Sequence, residues 1–111
     1  MEDYRWVAGI LEGEGCFSIF KRKNGIHSQC SIQCEMSDRD TIEQLQKELT
    51  VGNIAYRSNE NRGNRKPTWI LTIQKQQDVF DTLIRVMPYL KSRRLGKASE
   101  LFNYLEPIVC K

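Results

Sequence analysis

Glu12 and Glu14 are the residues of this chain best placed to do chemistry. They stand in the run Trp6-Val7-Ala8-Gly9-Ile10-Leu11-Glu12-Gly13-Glu14-Gly15. Trp6, Val7, Ile10 and Leu11 recur at the spacing of one helix face. Asp3 can cap the start, because its short carboxylate accepts from the first free N–H groups. Gly15 stands where a helix usually stops. Both glutamates therefore fall near the partial negative charge of the last carbonyls, a mildly destabilising place unless something positive arrives. Carboxylate and carbonyl oxygens converging on one point suit a hard divalent cation such as Mg²⁺, which takes oxygen ligands and keeps several waters. The same run also reads as an ordinary amphipathic helix with a solvated tip, and spacing alone does not separate the two.

Gly9 and Gly13 add a second demand. Glycine inside a helix costs roughly 1 kcal/mol against alanine, so two of them need a reason. Small residues one turn apart leave a flat groove into which a second helix can press its backbone.

The 111 residues suffice for one domain, taken as 1–111, with one modest core. The net charge of +3, from 17 Lys+Arg against 14 Asp+Glu, is a mild excess, so its distribution matters more than its total. No apolar run approaches the ~20 residues of a membrane helix, and Met1-Glu2-Asp3-Tyr4-Arg5 does not begin a signal peptide. Cys16, Cys30, Cys34 and Cys110 form no Cys-x-x-Cys pair, and His27 is the one histidine, which argues against structural zinc. The thiols fit a reducing, intracellular setting, whether organelle, prokaryotic cytoplasm or phage-infected cell. With one histidine and no nucleophile motif, Ser-His and Cys-His chemistry has little support.

The elements that must position the two glutamates follow in order. After Gly15 the period becomes that of a strand, through Phe17, Ile19 and Phe20. Asn24-Gly25 is a strong hairpin signal, and a return strand alternates from about Ile26 to Met36. Ser37 reads as the cap of a helix with Ile42, Leu45 and Leu49 buried. Strands follow at about Asn53 to Ser58 and Thr68 to Gln74, joined by a polar, basic turn. A helix opening at Asp78 turns Val79, Phe80, Leu83, Ile84 and Met87 inward and stops at Pro88. A last helix spans about Arg94 to Leu105. Two ββα units thus follow one leading helix, an α+β order whose four amphipathic strands form one antiparallel sheet with helices on one side.

The sheet's other face is rich in hydrogen-bonding groups: Ser18, Gln29, Ser31, Gln33, Glu35, Asn53, Arg57, Thr68 and Thr72. Arg, Gln and Glu are side chains that read base edges in a major groove. Lys21, Arg22 and Lys23 near one hairpin, with Arg62, Arg65 and Lys66 in the other, could meet phosphates. Alone, this pattern equally describes a solvated sheet face with charged loops. A third basic cluster, Lys91, Arg93, Arg94 and Lys97, precedes the last helix.

Val7-Ala8-Gly9-Ile10-Leu11-Glu12-Gly13-Glu14-Gly15 resembles the signature of the LAGLIDADG homing endonucleases. Ala8, Gly9 and Gly15 match by letter, and Val7, Ile10 and Leu11 by apolar character. Glu12 and Glu14 replace the signature's two aspartates, and Gly13 its second alanine. The element order resembles the αββαββα fold of that family, a saddle-shaped four-stranded antiparallel sheet with helices on one face, over nearly the whole chain.

The resemblance implies a homodimeric, site-specific endonuclease cutting double-stranded DNA at a long, nearly palindromic site. Val7, Gly9, Ile10 and Gly13 would face a second copy. Glu14 and the Gly13 carbonyl would hold Mg²⁺. Glu14, Arg93 and Asp38 would be catalytic, with Lys91 the alternative to Arg93 and Glu12 serving the helix end or the interface. Ser18, Arg22, Gln29, Ser31, Gln33, Glu35, Arg57, Arg62, Arg65, Thr68 and Thr72 would contact DNA. Two other classes stay open: an intron maturase using the same surface on structured RNA, and a catalytically silent DNA-binding regulator.

Overall fold

A computed structural model describes residues 3–20, 29–58 and 66–109. Its helices are α1 (Tyr4–Glu14), α2 (Arg39–Leu49), α3 (Gln76–Val86) and α4 (Ser92–Val109). Its strands are β1 (Gly15–Phe20), β2 (Gln29–Met36), β3 (Asn53–Arg57) and β4 (Thr68–Ile73). The strands form one antiparallel sheet in the order β1-β2-β4-β3.

Alternation along the strands decides which face is covered. Phe17, Cys30, Ile32, Cys34, Leu71 and Ile73 point inward and are buried. Against them pack Leu11 of α1, Ile42 and Leu45 of α2, Val79 and Leu83 of α3, and Leu101 and Leu105 of α4. Phe80 and Phe102 stack between α3 and α4, with ring centroids 5.2 Å apart. No helix among the described residues is long and apolar enough to cross a membrane.

The start of α1 is capped as expected: the Asp3 carboxylate accepts from the Trp6 N–H at 3.1 Å. The inward face is Val7, Ala8 and Leu11, while Trp6 and Ile10 sit half-buried at its edge. One expected interface residue is thereby corrected. Val7 is 0 % exposed and belongs to the protomer's own core, so it has no surface to offer a second copy. Gly9 and Gly13 lie on the opposite side. A Cβ at either would meet nothing within 4 Å.

Three other boundaries differ from expectation. The cap of α2 is Asp38 and not Ser37, because the Asp38 carboxylate reaches both the N–H and the hydroxyl of Thr41. α3 begins at Gln76, ahead of Asp78. The Gln76 amide explains this, since it accepts from the Cys30 N–H at 3.2 Å and donates to the Cys30 carbonyl at 3.0 Å, tying the helix start to β2. Ile84 is 50 % exposed, because the buried stripe runs through Leu83 and Val86 and the next residue turns away from it. α4 starts earlier than expected, at Ser92, and extends past Leu105.

The tightest junction joins α1 to β1 with no loop. Gly15 is at once the helix cap, donating its N–H to the Leu11 carbonyl, and the first residue of the strand. A Cβ there would lie 2.6 Å from the Leu11 oxygen and 2.9 Å from the Leu11 Cα, both backbone atoms that cannot swing aside. Gly15→Ala is therefore expected to lower stability by about 1–3 kcal/mol, the usual range for overpacking. Gly9→Ala, into open space, is expected to be neutral or to gain up to about 1 kcal/mol in the isolated protomer. Urea unfolding of the two variants, in conditions where the chain is monomeric, checks the contrast in sign.

Candidate active site

Glu14 is the last residue of α1 and is exposed. The register then sets its company. Gly15 pairs with Cys34, so the next residue of β2, Glu35, and the start of α2 come to the helix tip. Glu14, Glu35, Ser37, Asp38, Lys66 and Thr68 line one depression of about 420 Å³. Three carboxylates from three elements thus share a concave surface.

Their partners divide their roles. Glu35 accepts from Arg57 Nη1 at 3.3 Å and from the Thr68 hydroxyl. Both oxygens of Asp38 are turned to Thr41, at 3.4 Å for its N–H and 2.9 Å for its hydroxyl. Among the described residues Glu14 makes no hydrogen bond or ion pair. Its charge still registers nearby. The Cys34 thiol is pushed up to about 11, first by burial and then by the negative charge of Glu14.

The positive group that the negative helix end requires is Arg94. Its Nε donates to the Glu12 carbonyl at 3.0 Å, one of the last four that a helix leaves without an internal partner. The Glu12 carboxylate turns away from the depression and accepts the Lys91 N–H at 2.8 Å. Arg93 lies one residue before Arg94, exposed in the first turn of α4, and is not among the residues lining the depression.

The donor set fits a hard divalent ion. Glu14 and the end carbonyl of Gly13 offer oxygen ligands of the kind Mg²⁺ takes. Among the described residues no three His, Cys, Asp or Glu side chains come close enough to cage a metal. That suits an ion that keeps waters and completes its shell with phosphate oxygens, and it does not suit a closed structural site.

The uncovered sheet face adjoins this depression. Directly paired residues share a face, so Cys16, Gln33, Thr72 and Asn53 form one row across all four strands. Glu35, Ile70 and Ala55 form the next, with Thr68 and Arg57 beyond it. Ser18 and Ser31 lie opposite each other, their hydroxyls 2.8 Å apart. Gln29 and Gln33 are exposed, as is Phe20 at 69 %. All the expected sheet contacts on β1–β4 therefore lie on the open side. Arg22, Arg62 and Arg65 lie outside the described residues.

Two features were missed in the sequence. One is the bonding of Glu35 to Thr68 and Arg57 beside Glu14, three residues expected only as DNA contacts, whose signal was the strand register, hidden behind the hairpin length. The other is Glu12 as the partner of Lys91 and Arg94, more than 75 positions away, for which no local signal exists.

A model described as LAGLIDADG endonuclease matches residues 7–104, and the chain belongs to that family. Among solved structures, the fold is similar to that of the homing endonuclease I-GzeII in complex with its DNA target, with a TM-score of 0.78 and 19% identity over 97% of this chain and 37% of that one. It is likewise similar to the homing endonuclease I-CvuI in complex with its target, with a TM-score of 0.74 and 17% identity over 93% of this chain and 65% of that one. The group I intron-encoded homing endonuclease I-CeuI, complexed with DNA, gives 0.75 and 18% identity over 95% of this chain and 54% of that one. The chain thus spans less than two thirds of these relatives. No curated protein sequence matches it significantly.

Burial also sets the reactivity of the thiols. Cys30, like Cys34, is raised to about 11, mainly by desolvation. At neutral pH both are expected to resist iodoacetamide until the chain unfolds, while exposed Cys16 reacts in the native state. A raised folded value favours the protonated thiol in the native state. Its stabilising effect is present below the ordinary value of 9.0 and is lost as pH rises through about 11. The alkaline fall in urea midpoint over that window is expected to be shallower in Cys30→Ala/Cys34→Ala, whatever the cost of the two cavities at neutral pH.

Proposed function

We propose that this chain is a site-specific DNA endonuclease acting as a homodimer, and that Mg²⁺ is its cofactor. The observation that carries the reading is the position of Glu14, an unengaged carboxylate at a helix end that opens beside the uncovered polar face of the sheet. The sheet face offers Gln29, Gln33, Arg57 and Thr72 to base edges in the major groove, where Arg and Gln read guanine and adenine. Basic side chains around it, Lys66 and, outside the described residues, Arg22, Arg62 and Arg65, would fix register on phosphates.

Glu14 and the Gly13 carbonyl would hold the ion. When bound, it supplies a Lewis acid that lowers the pKa of an attacking water and offsets charge on the leaving oxygen. Glu14 acts by setting one anionic ligand at a fixed point of the helix end. Asp38 stands at the rim of the same depression, where it orients water. Arg93, exposed on the first turn of α4, would add positive charge for the phosphate of a bound DNA.

Homodimerisation is supported by the outer side of α1. Gly9 and Gly13 leave a groove there, with Ile10 at its edge, and a second copy of α1 would lie against it across a two-fold axis. Each copy would then contribute one Glu14 to one of two neighbouring scissile phosphates. Gly9→Leu, whose Cβ would meet nothing within 4 Å among the described residues, is expected to leave the fold intact and turn the dimer into monomer in sedimentation equilibrium. A wild-type monomer on DNA would refute the dimeric arrangement.

The cleavage test uses the host's genomic DNA, incubated with the protein in Mg²⁺ or Ca²⁺, with the new ends sequenced. Recurrent staggered ends at one near-palindromic site are expected in Mg²⁺ alone. Glu14→Gln is expected to slow cutting by about 10³-fold, as loss of several kcal/mol of charge stabilisation implies, with DNA affinity retained. Unchanged cutting by that variant would remove Glu14 from the site.

A further inference from the structure

We infer that Glu12 is a positioning residue, a latch that holds the basic start of α4 against the catalytic tip of α1. The inference rests on the nuclease reading above and adds a device to it. Glu12 meets the α4 start twice: its carboxylate accepts the Lys91 N–H at 2.8 Å, and its carbonyl accepts Arg94 Nε at 3.0 Å. Lys91 is itself the residue from which α4 begins, because its carbonyl accepts the N–H groups of Arg94 at 3.1 Å and Leu95 at 2.9 Å. A single glutamate therefore fixes where α4 starts relative to where α1 ends.

The electrostatics explain why a latch is needed. The N-terminal end of a helix is partially positive and favours acids. The first turn of α4 contains no acidic residue and carries Arg93 and Arg94 instead. Lys91 stands just ahead of it. Bases in that position repel the helix end and one another, and α4 would fray there if nothing held it. Glu12 supplies the missing carboxylate from another helix. It spends both its oxygen-bearing groups on this contact and lies outside the depression that contains Glu14. The two glutamates of the signature thus divide the work: Glu14 faces the site, and Glu12 holds the start of α4, on whose first turn Arg93 stands.

Glu12→Gln keeps an acceptor oxygen at the Lys91 N–H, and Glu12→Ala removes it. Amide hydrogen exchange reads the latch without any cleavage. The Lys91 N–H is expected to exchange at least ten-fold faster in Glu12→Ala and near the wild-type rate in Glu12→Gln. Single-turnover cleavage, on a duplex that the wild type selects from a randomised library, reads the consequence. Glu12→Ala is expected to cut about ten-fold more slowly with its DNA affinity unchanged, the scale of coupling between residues in contact. Glu12→Gln is expected to restore the rate. In an Arg93→Ala background, Glu12→Ala is expected to slow cutting no further.

Equal Lys91 exchange in the wild type and Glu12→Ala would overturn the latch. Multiplicative slowing in the double variant would overturn its action through Arg93. A wild type that cuts nothing would refute the nuclease reading and the catalytic half of this inference together, while the exchange measurement would still decide whether the latch exists. If Glu12→Ala does not fold, Glu12→Thr, whose shorter side chain cannot reach the Lys91 N–H, carries the same exchange and rate comparisons.

Discussion

The structure depends on α1 ending and β1 beginning at one residue. Gly15 leaves no slack, since its N–H closes the helix on the Leu11 carbonyl and its extended backbone starts the strand. The absence of a Cβ there permits an approach of 2.6 Å from the would-be Cβ to that carbonyl oxygen, which no other residue type allows without displacing backbone. A flexible linker would let the helix end wander relative to the sheet. With none, the carboxylate of Glu14 is registered to the sheet by covalent geometry on one side and by the Gly15–Cys34 pairing on the other. A catalytic group needs about half an ångström of positional fidelity, and rigid elements supply it better than loops.

The two sides of α1 show how one helix meets opposite demands. Val7, Ala8 and Leu11 are closely packed and inward, and they attach the helix to the sheet and to α2 and α3. On the outer side Gly9 and Gly13 give up helix stability, roughly 1 kcal/mol each. Among the described residues nothing visible offsets that cost, because a Cβ at either position would meet no atom within 4 Å. A residue choice that is unfavourable locally and unexplained within the chain points outside the chain, which is the physical ground for placing a second copy there.

Much of this was legible in the sequence, for identifiable reasons. Strand alternation in 29–36 and 68–73 identified both faces of the sheet, since a one-residue slip would expose every core side chain. The Asp3 cap and the stop at Gly15 were readable because both are local effects. Val7 was misplaced because a helix of this length with apolar residues on two adjacent sides does not state which side meets the core. Ala8, small and unremarked in the periodicity, lies in the buried stripe and rotates Trp6 and Ile10 to its edge. The cap of α2 was displaced by one residue because Ser37 and Asp38 are both good caps, and the choice fell to the one whose carboxylate reaches Thr41 twice. The site was half legible. Glu14 and Asp38 share a depression, as the family resemblance implied, but Glu35 joins them through strand register and Lys66 through the approach to β4, which no local rule supplies.

The charges around the tip look wrong when each helix is taken alone. α1 carries acids at its negative end, and α4 carries bases at its positive end. Each arrangement is unfavourable by some tenths of a kcal/mol per charge. Brought together, they are complementary: carbonyls and carboxylate of the one face guanidinium and N–H of the other. Each helix end thus offsets part of the other's unfavourable charge. Such reciprocal contact keeps cations beside a carboxylate without neutralising it, because Arg94 is committed to the Glu12 carbonyl and leaves the Glu14 carboxylate unpaired among the described residues. Had Arg94 reached Glu14 instead, the same charges would have formed an ordinary surface ion pair, and the helix tip would have had no anionic ligand left to offer.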